Sequence, residues 1–303
     1  MPEAPDRAAA TGIALVVGAA VAFSFKGILA KLLYALGIPV PAVLALRLAV
    51  AVPFVWLVAW HTAPWKRPPT GAELAAVAVG GVFGFGLAPI TDFIALALID
   101  VSIERVILFS FPAFVLLFDA VRQHRLPGAR QWTALGLTQA GVVLTMGGFD
   151  AAKVMANLAG SAWALLSAAC YAVYLMVNQA HGRTLGAARF TALGTTAGGV
   201  VIFVYFLVSE PLATLAVTPL AWLYVVTMAI VTTVVPMIMF TEGIKRIGAA
   251  RASLVATVGP PFTVALAAVV LGETFTLQQA AGGALVILGV LALEGRAGWL
   301  AQR

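Results

Sequence analysis

Three charged side chains lie inside long apolar stretches of the sequence, where a charge is unusual. Lys26 lies in the first stretch, Arg47 near the start of the second, and Asp92 near the end of the third. A charge surrounded by lipid is costly, so such residues usually pair with one another or face water. We expect Asp92 to pair with Lys26 or Arg47, which leaves one cation to bind an anion such as a carboxylate. The alternative is that Lys26 and Arg47 extend separately to lipid headgroups.

Aromatic and polar residues recur on one helical face farther along the chain. Trp163, Ser167, Tyr171, Tyr174 and Asn178 follow helical spacing, and most residues around them are Ala, Leu or Val. Such a face can stack on a flat ligand and hydrogen-bond its polar ends. The alternative is a seam between helices, with Trp163 as an anchor at the membrane interface.

Five further residues are candidates for the lining of the same site. They are Phe23, Phe83, Phe85, Ser253 and Thr257. The three phenylalanines lie within three helical turns of Lys26 or Asp92, and the two hydroxyl residues lie one turn apart in the ninth apolar stretch. Phe83 would replace Phe85 if the surrounding glycines unwind the helix.

The composition shows what kind of chain holds these residues. Of 303 residues, 62% are hydrophobic and 10% are charged, and the mean hydropathy is +1.03. A soluble domain has about 25% charged residues, so this chain does not have a fully solvated surface. The isoelectric point of about 9.8 reflects basic residues between the apolar stretches, and it does not indicate a nucleic-acid partner. The chain is therefore expected to be an integral membrane protein that contacts the lipid bilayer.

Apolar segments long enough to cross a bilayer set the expected fold class. Nothing in them alternates with the period of a membrane strand, so we predict an all-α bundle of ten transmembrane helices. The predicted spans are residues 11–34, 41–60, 73–98, 102–121, 131–149, 158–180, 190–208, 219–241, 249–271 and 277–294.

The basic residues between the spans predict the orientation. Of the 18 lysines and arginines, thirteen fall on the segments that share a side with the N-terminus, three on the other side and two within spans. We therefore expect a multi-pass protein of the inner (plasma) membrane with both termini in the cytoplasm. The sequence does not indicate its oligomeric state.

An internal repeat divides the predicted bundle into residues 11–149 and 158–294. Sliding the chain against itself by 148 residues aligns Gly12 with Gly160 and Gly141 with Gly289. Each unit contains five predicted helices, an odd number, so the second unit would insert upside down. Inverted repeats around a central cavity are typical of secondary transporters, and they predict alternating access.

Helix-breaking residues fall at related places in the two units. Pro89 and Pro236 lie in the third and eighth spans, and Pro112 and Pro260 lie in the fourth and ninth. Proline inside a helix removes a hydrogen bond and bends the helix. We expect these kinked spans to line the cavity.

The last third of the chain resembles a known family. The segment Gly259–Leu293 is similar to the drug/metabolite transporter superfamily and its ten-helix EamA-type branch, with prolines, Leu271-Gly-Glu273 and a glycine-rich last helix. The first unit departs from that pattern, with Gln123-His-Arg125 at the equivalent place. The resemblance implies an exporter of small metabolites. The aromatic amino-acid exporters are the nearest subgroup, which implies amino acids as substrates.

Other function classes find little support in the sequence. The chain contains no Gly-x4-Gly-Lys-Ser/Thr loop for phosphate, and its histidines and Cys170 form no metal motif, so we expect no cofactor and no metal. An enzyme needs a nucleophile and a base that converge at membrane depth, and we see neither. An intramembrane enzyme and a channel or facilitator remain the alternatives, and coupling to protons stays open.

Overall fold

The computed structural model describes residues 4–62, 68–99, 104, 107–145, 151–156, 158–262 and 276–294, and regular structure in that part of the chain is entirely helical. The first half contains α1 (Ala4–Ala35), α2 (Val40–Thr62), α3 (Gly71–Gly81), α4 (Ala88–Leu98), α5 (Phe111–Gln123), α6 (Ala129–Thr145) and the short α7 (Ala151–Ala156). The second half contains α8 (Leu158–Leu185), α9 (Ala187–Ser209), α10 (Pro219–Ala229), α11 (Val235–Ile247), α12 (Ala249–Val255) and α13 (Leu277–Glu294).

Several helical stretches in the described part of the chain are long and apolar enough to cross a membrane. There are six by length and composition: Arg7–Lys26, Val40–His61, Gly71–Ala95, Leu158–Gly182, Ala187–Ser209 and Pro219–Ile247. Large apolar side chains cover their outer surfaces, as Trp60 (77% exposed) and Val208 (83% exposed) illustrate. Lipid is the solvent that such a surface requires.

The turns between helices follow from local sequence. Gly37, Gly186 and Gly248 adopt positive φ angles near 80°, a conformation that residues with a Cβ rarely adopt. Thr70 caps α3 through a capping box with Glu73, which satisfies free backbone N–H groups at the helix start. The short helix α7 lies in the segment that the sequence predicted as a loop between two spans.

Two membrane helices contain a stretch of π-helix at related positions. Val82–Leu87 separates α3 from α4, and Ile230–Val234 separates α10 from α11. The first residues of the two stretches are 148 apart, the same offset as the sequence repeat. Pro89 and Pro236 each occupy the first turn of the α-helix that follows. The wider π turn thus adjoins the proline in both halves, where the regular hydrogen-bond ladder is interrupted.

Packing contacts are also repeated at this offset, with the partners exchanged. Gly12 on α1 lies against Ile247 on α11, so that an added Cβ would come 2.7 Å from that side chain. Gly160 on α8 lies in the same way against Ile99, beside the end of α4. Each glycine is therefore required for the close approach of two helices.

The contact between α6 and α13 shows the same offset of 148 residues within a single pair of helices. Gly141 on α6 lies against Val286 on α13, and Gly289 on α13 lies against Thr138 on α6. Adding 148 to the two α6 residues gives the two α13 residues. Likewise α2 packs on α9, its counterpart in the second half. The two halves thus contact each other through equivalent surfaces.

Candidate functional site

The first half contains a charged cluster that the bundle shields from lipid. Arg47 on α2 is 7% exposed, and Asp92 on α4 is 5% exposed. The two side chains interact electrostatically, and the Tyr34 hydroxyl also lies in the electrostatic range of Arg47. Phe93 packs its ring edge-to-face against Tyr34, with ring centroids 6.3 Å apart. We name Arg47 and Asp92 the charged pair.

Each residue of the charged pair has a buried polar atom without a hydrogen bond in the described part of the chain. Nε of Arg47 and Oδ1 of Asp92 are buried and have no hydrogen-bond partner within the described structure. No ion pair within 4.0 Å joins the two residues in this part of the chain. A buried polar group without a partner costs about 1–3 kcal/mol, and a charged one costs more. The arrangement can therefore accept both a hydrogen-bond donor and a hydrogen-bond acceptor.

Lys26 lies on α1 and is partly exposed. Among the described residues, no ion pair within 4.0 Å joins its ammonium to Asp92, and Lys26 has interactions of its own. Arg47, the other predicted partner of Asp92, lies in electrostatic range of it. Lys26 stays a predicted substrate-binding residue.

Aromatic side chains form a continuous cluster between the halves. Tyr171 stacks on Tyr174 at 5.7 Å and meets the edge of Phe111 at 5.2 Å. Phe85 packs edge-to-face on Tyr174 at 5.0 Å. Tyr171 is half-buried, whereas Tyr174 is completely buried. Of these residues, Tyr171 offers a partly accessible ring to a ligand.

Glycine brings the two halves together at this cluster. The Tyr174 ring lies directly against Gly84 in the π segment of the first half, where any Cβ would overlap it. Phe85 follows Gly84 and packs on Gly198 of α9 in the same way. The small residues that the sequence places around Phe85 therefore let α8 and α9 approach the π turn closely.

The second half contains a neutral polar network. Asn178 Nδ2 donates to Tyr174 Oη at 3.2 Å and to Thr241 Oγ1 at 3.0 Å. Thr241 Oγ1 also lies 3.4 Å from Tyr174 Oη and 3.3 Å from Thr191 Oγ1. All four residues are fully buried, with 0% exposure. We name these four residues the neutral network.

The other predicted site residues are not members of these clusters. Phe23 meets Phe240 edge-to-face at 6.5 Å, Phe83 is half-buried, and Trp163 is 38% exposed on the surface of α8. Ser253 and Thr257 are fully buried, and each hydroxyl donates to a carbonyl three residues earlier in its own helix. Ser167 donates to the carbonyl of Ala88 at 2.8 Å, which links α8 to α4.

The other two prolines that the sequence predicts as kinks lie at helix starts. Pro112 occupies the first turn of α5, and Pro260 follows the 3-10 turn Ala256–Val258 after α12. Near Pro260, the Ser24 hydroxyl donates to the Gly259 carbonyl at 3.2 Å and connects α1 to this turn. The motif Leu271-Gly-Glu273 lies outside the described residues.

Two acidic residues near helix ends form local ion pairs. Asp119 pairs with Arg122 at 3.0 Å within α5, and Glu242 pairs with Lys245 and Arg246 within α11. The pairs shown here stay within one helix and do not connect the halves.

Sequence reasoning missed part of both clusters. Thr191 and Thr241 join the neutral network, and Tyr34 lies beside Arg47. The internal repeat could have indicated Thr241, because adding 148 to the position of Asp92 gives position 240, which is next to Thr241. Glu104 is a further buried acid, with 0% exposure.

A family model matches most of the chain in two segments, residues 10–147 and residues 158–294, and its description is the EamA-like transporter family. The chain belongs to the EamA-like transporter family. It is thus a multi-pass membrane protein of the drug/metabolite transporter superfamily.

Curated relatives agree with this assignment. The chain is 34% identical over 296 residues to the "Uncharacterized transporter YcbK" of Bacillus subtilis, which covers 96% of this chain and 95% of the relative. It is 23% identical over 309 residues to the "Uncharacterized transporter sll1319" of Synechocystis, with 93% of each protein covered. Both names describe transporters, which is consistent with a chain that is not an enzyme.

A solved crystal structure has the same fold. It superposes with a TM-score of 0.77 at 20% sequence identity and covers 97% of this chain and 98% of its own. At this identity the likeness supports the architecture alone.

Proposed function

We propose that this EamA-family transporter is a secondary exporter of small metabolites, foremost aromatic and other hydrophobic amino acids. The observation that carries the proposal is the charged pair, because buried charges with unsatisfied atoms inside a membrane bundle are costly unless they serve a function. Tyr171 and its aromatic neighbours add a surface that suits a flat apolar side chain.

Alternating access is the proposed mechanism. Ten spans would form two inverted five-helix units, with residues 11–149 in the first and residues 158–294 in the second. The exchanged contacts at an offset of 148 support this arrangement, since a two-fold relation produces reciprocal contacts. The paired π segments are the proposed hinges, because their hydrogen-bond ladders are already interrupted.

The proposed orientation has both termini in the cytoplasm and the charged pair in the outer half of the inner membrane. It follows from the distribution of lysine and arginine between the spans. The neutral network would then lie in the inner half, because the second unit is inverted.

Counterflow in proteoliposomes tests the proposal. Purified protein is reconstituted in liposomes loaded with one unlabelled compound, and entry of its labelled form is followed for amino acids, nucleosides and sugars. We expect saturable counterflow of aromatic and hydrophobic amino acids, and protein-free liposomes are the control. Amino-acid flux that does not saturate and shows no counterflow would instead identify a channel, and no amino-acid flux would refute the substrate class.

A further inference from the structure

We propose that Arg47 and Asp92 together form a two-point site for a zwitterion, in which Asp92 binds the ammonium group and Arg47 binds the carboxylate. The inference rests on the proposed function, since it specifies how the head group of an amino acid is held. It also goes further, because it gives each end of the substrate a named partner.

Both charges of the pair are buried. Arg47 and Asp92 are 7% and 5% exposed, and they lie on different membrane helices. Opposite charges in such a setting normally close into a hydrogen-bonded ion pair, because desolvation of each charge is otherwise uncompensated. Within the described residues, this pair has not closed to 4.0 Å.

Each residue of the charged pair has one atom that a ligand could bind. Oδ1 of Asp92 is an acceptor without a donor, and Nε of Arg47 is a donor without an acceptor, in the part of the chain that the structure describes. A ligand that satisfies both must carry a donor and an acceptor. The ammonium and carboxylate groups on one carbon atom meet this requirement, and each makes a charge-assisted hydrogen bond.

The internal repeat indicates which residue would meet the substrate side chain. Phe23 and Phe240 are in ring contact at 6.5 Å. Shifting this contact by 148 residues gives positions 171 and 92, which are Tyr171 and Asp92. Helices α8 and α4, which carry these two residues, pack directly on each other. An amino acid whose head group lies at Asp92 would therefore extend its side chain toward the half-buried ring of Tyr171.

Binding of three related compounds tests the two contacts separately. Phenylalanine carries both charges, N-acetylphenylalanine lacks the ammonium group, and phenylalanine amide lacks the carboxylate. Their affinities are measured by calorimetry on detergent-purified wild-type protein, Asp92→Asn and Arg47→Gln. Asp119→Asn and Arg122→Gln are the matched controls, because they remove the same charges from the ion pair within α5.

We expect wild-type protein to bind phenylalanine about tenfold or more tightly than either derivative, as for the loss of a hydrogen bond to a charged group. Asp92→Asn should bind phenylalanine and its N-acetyl derivative equally, while it still prefers phenylalanine to the amide. Arg47→Gln should show the opposite pattern, and the control variants should behave as the wild type.

Several results would overturn the inference. If each single variant lowers the affinity for all three compounds by the same factor, the pair supports the fold and does not bind the head group. If a single variant is not monodisperse, Arg47→Gln/Asp92→Asn replaces it, and a retained preference for phenylalanine in this double variant refutes the site. If the wild type shows amino-acid counterflow but the variants keep its preferences among the three compounds, the site is refuted and the proposed function stands. If the wild type neither binds nor transports any amino acid, the proposed function and the site are both refuted.

Discussion

The charged pair and the neutral network occupy related parts of the two halves. Arg47 and Asp92 lie on α2 and α4, and the network lies on their counterparts α9 and α11 together with α8. In the network, the Asn178 amide donates to both Tyr174 and Thr241. Both clusters contain buried atoms without a hydrogen bond within the described residues: Asn178 Oδ1 in the network, and Arg47 Nε and Asp92 Oδ1 in the charged pair, where these atoms belong to charged groups.

This difference in charge indicates different roles for the buried polar residues of the two halves. The neutral network connects helices through hydrogen bonds between an amide and three hydroxyls, and its unsatisfied acceptor, Asn178 Oδ1, carries no net charge. Charges that stay apart inside a membrane are costly by themselves, so their retention points to a ligand that completes them. We therefore assign substrate binding to the first-half charges and helix cross-linking to the second-half network.

The largest expected effect follows from removing one member of the charged pair. Asp92→Ala leaves Arg47 buried without a countercharge, which should destabilise the protein by about 3–5 kcal/mol and abolish counterflow. Thermal unfolding in detergent and counterflow in liposomes measure the two effects. The control Asp119→Ala removes a carboxylate from a partly solvated helical pair and should cost less than about 1 kcal/mol. Equal effects of the two substitutions would contradict a special role for Asp92.

An intermediate effect is expected from the neutral network. Asn178→Leu removes the donor that serves Tyr174 and Thr241, so we expect a loss of about 1–3 kcal/mol in stability. Counterflow per folded molecule should change little, because we assign the network to holding helices together. Adding Thr241→Val should recover part of the stability, since it removes a hydroxyl left with fewer partners. A folded Asn178→Leu protein without transport would remove the distinction between the clusters.

The smallest effect is expected at the aromatic wall. Tyr171→Leu should lose an aromatic contact of about 0.5–1.5 kcal/mol with a flat substrate, which raises KM for phenylalanine roughly 2- to 12-fold. Stability and the KM for leucine should change less, because leucine has no ring to stack. Tyr171→Phe keeps the ring and is the matched control. If Tyr171→Phe raised KM as much as Tyr171→Leu, the phenol hydroxyl and not the ring would be responsible.

The helices were largely predictable because membrane spans have a simple physical requirement. Both ends of α9 and the starts of α2 and α13 lie within three residues of the predicted spans, since long apolar runs bounded by glycine, proline or charge leave few alternatives. The π segments were not predictable in detail. Glycine and proline indicated an irregular helix, but the hydrogen-bond register depends on neighbours such as Tyr174 at Gly84.

The candidate site was predictable in its residue types and less in its contacts. Arg47 and Asp92 stand out because charges are rare in apolar stretches, but the choice between Lys26 and Arg47 as partner depends on how each helix is rotated. Ser253 and Thr257 show a second limit. Their hydroxyls donate to carbonyls of their own helix, a local bond that sequence spacing does not distinguish from a ligand contact.

Counterflow of labelled phenylalanine in two variants tests the central claim most directly. Asp92→Asn and Asn178→Leu are reconstituted at equal amounts of monodisperse protein, with wild-type protein in parallel. We expect Asp92→Asn to lower the initial rate of counterflow at subsaturating phenylalanine by about tenfold or more, as for a lost charge-assisted hydrogen bond. The rate of Asn178→Leu should stay close to that of the wild type. Equal losses in the two variants, or a larger loss in Asn178→Leu, would contradict it.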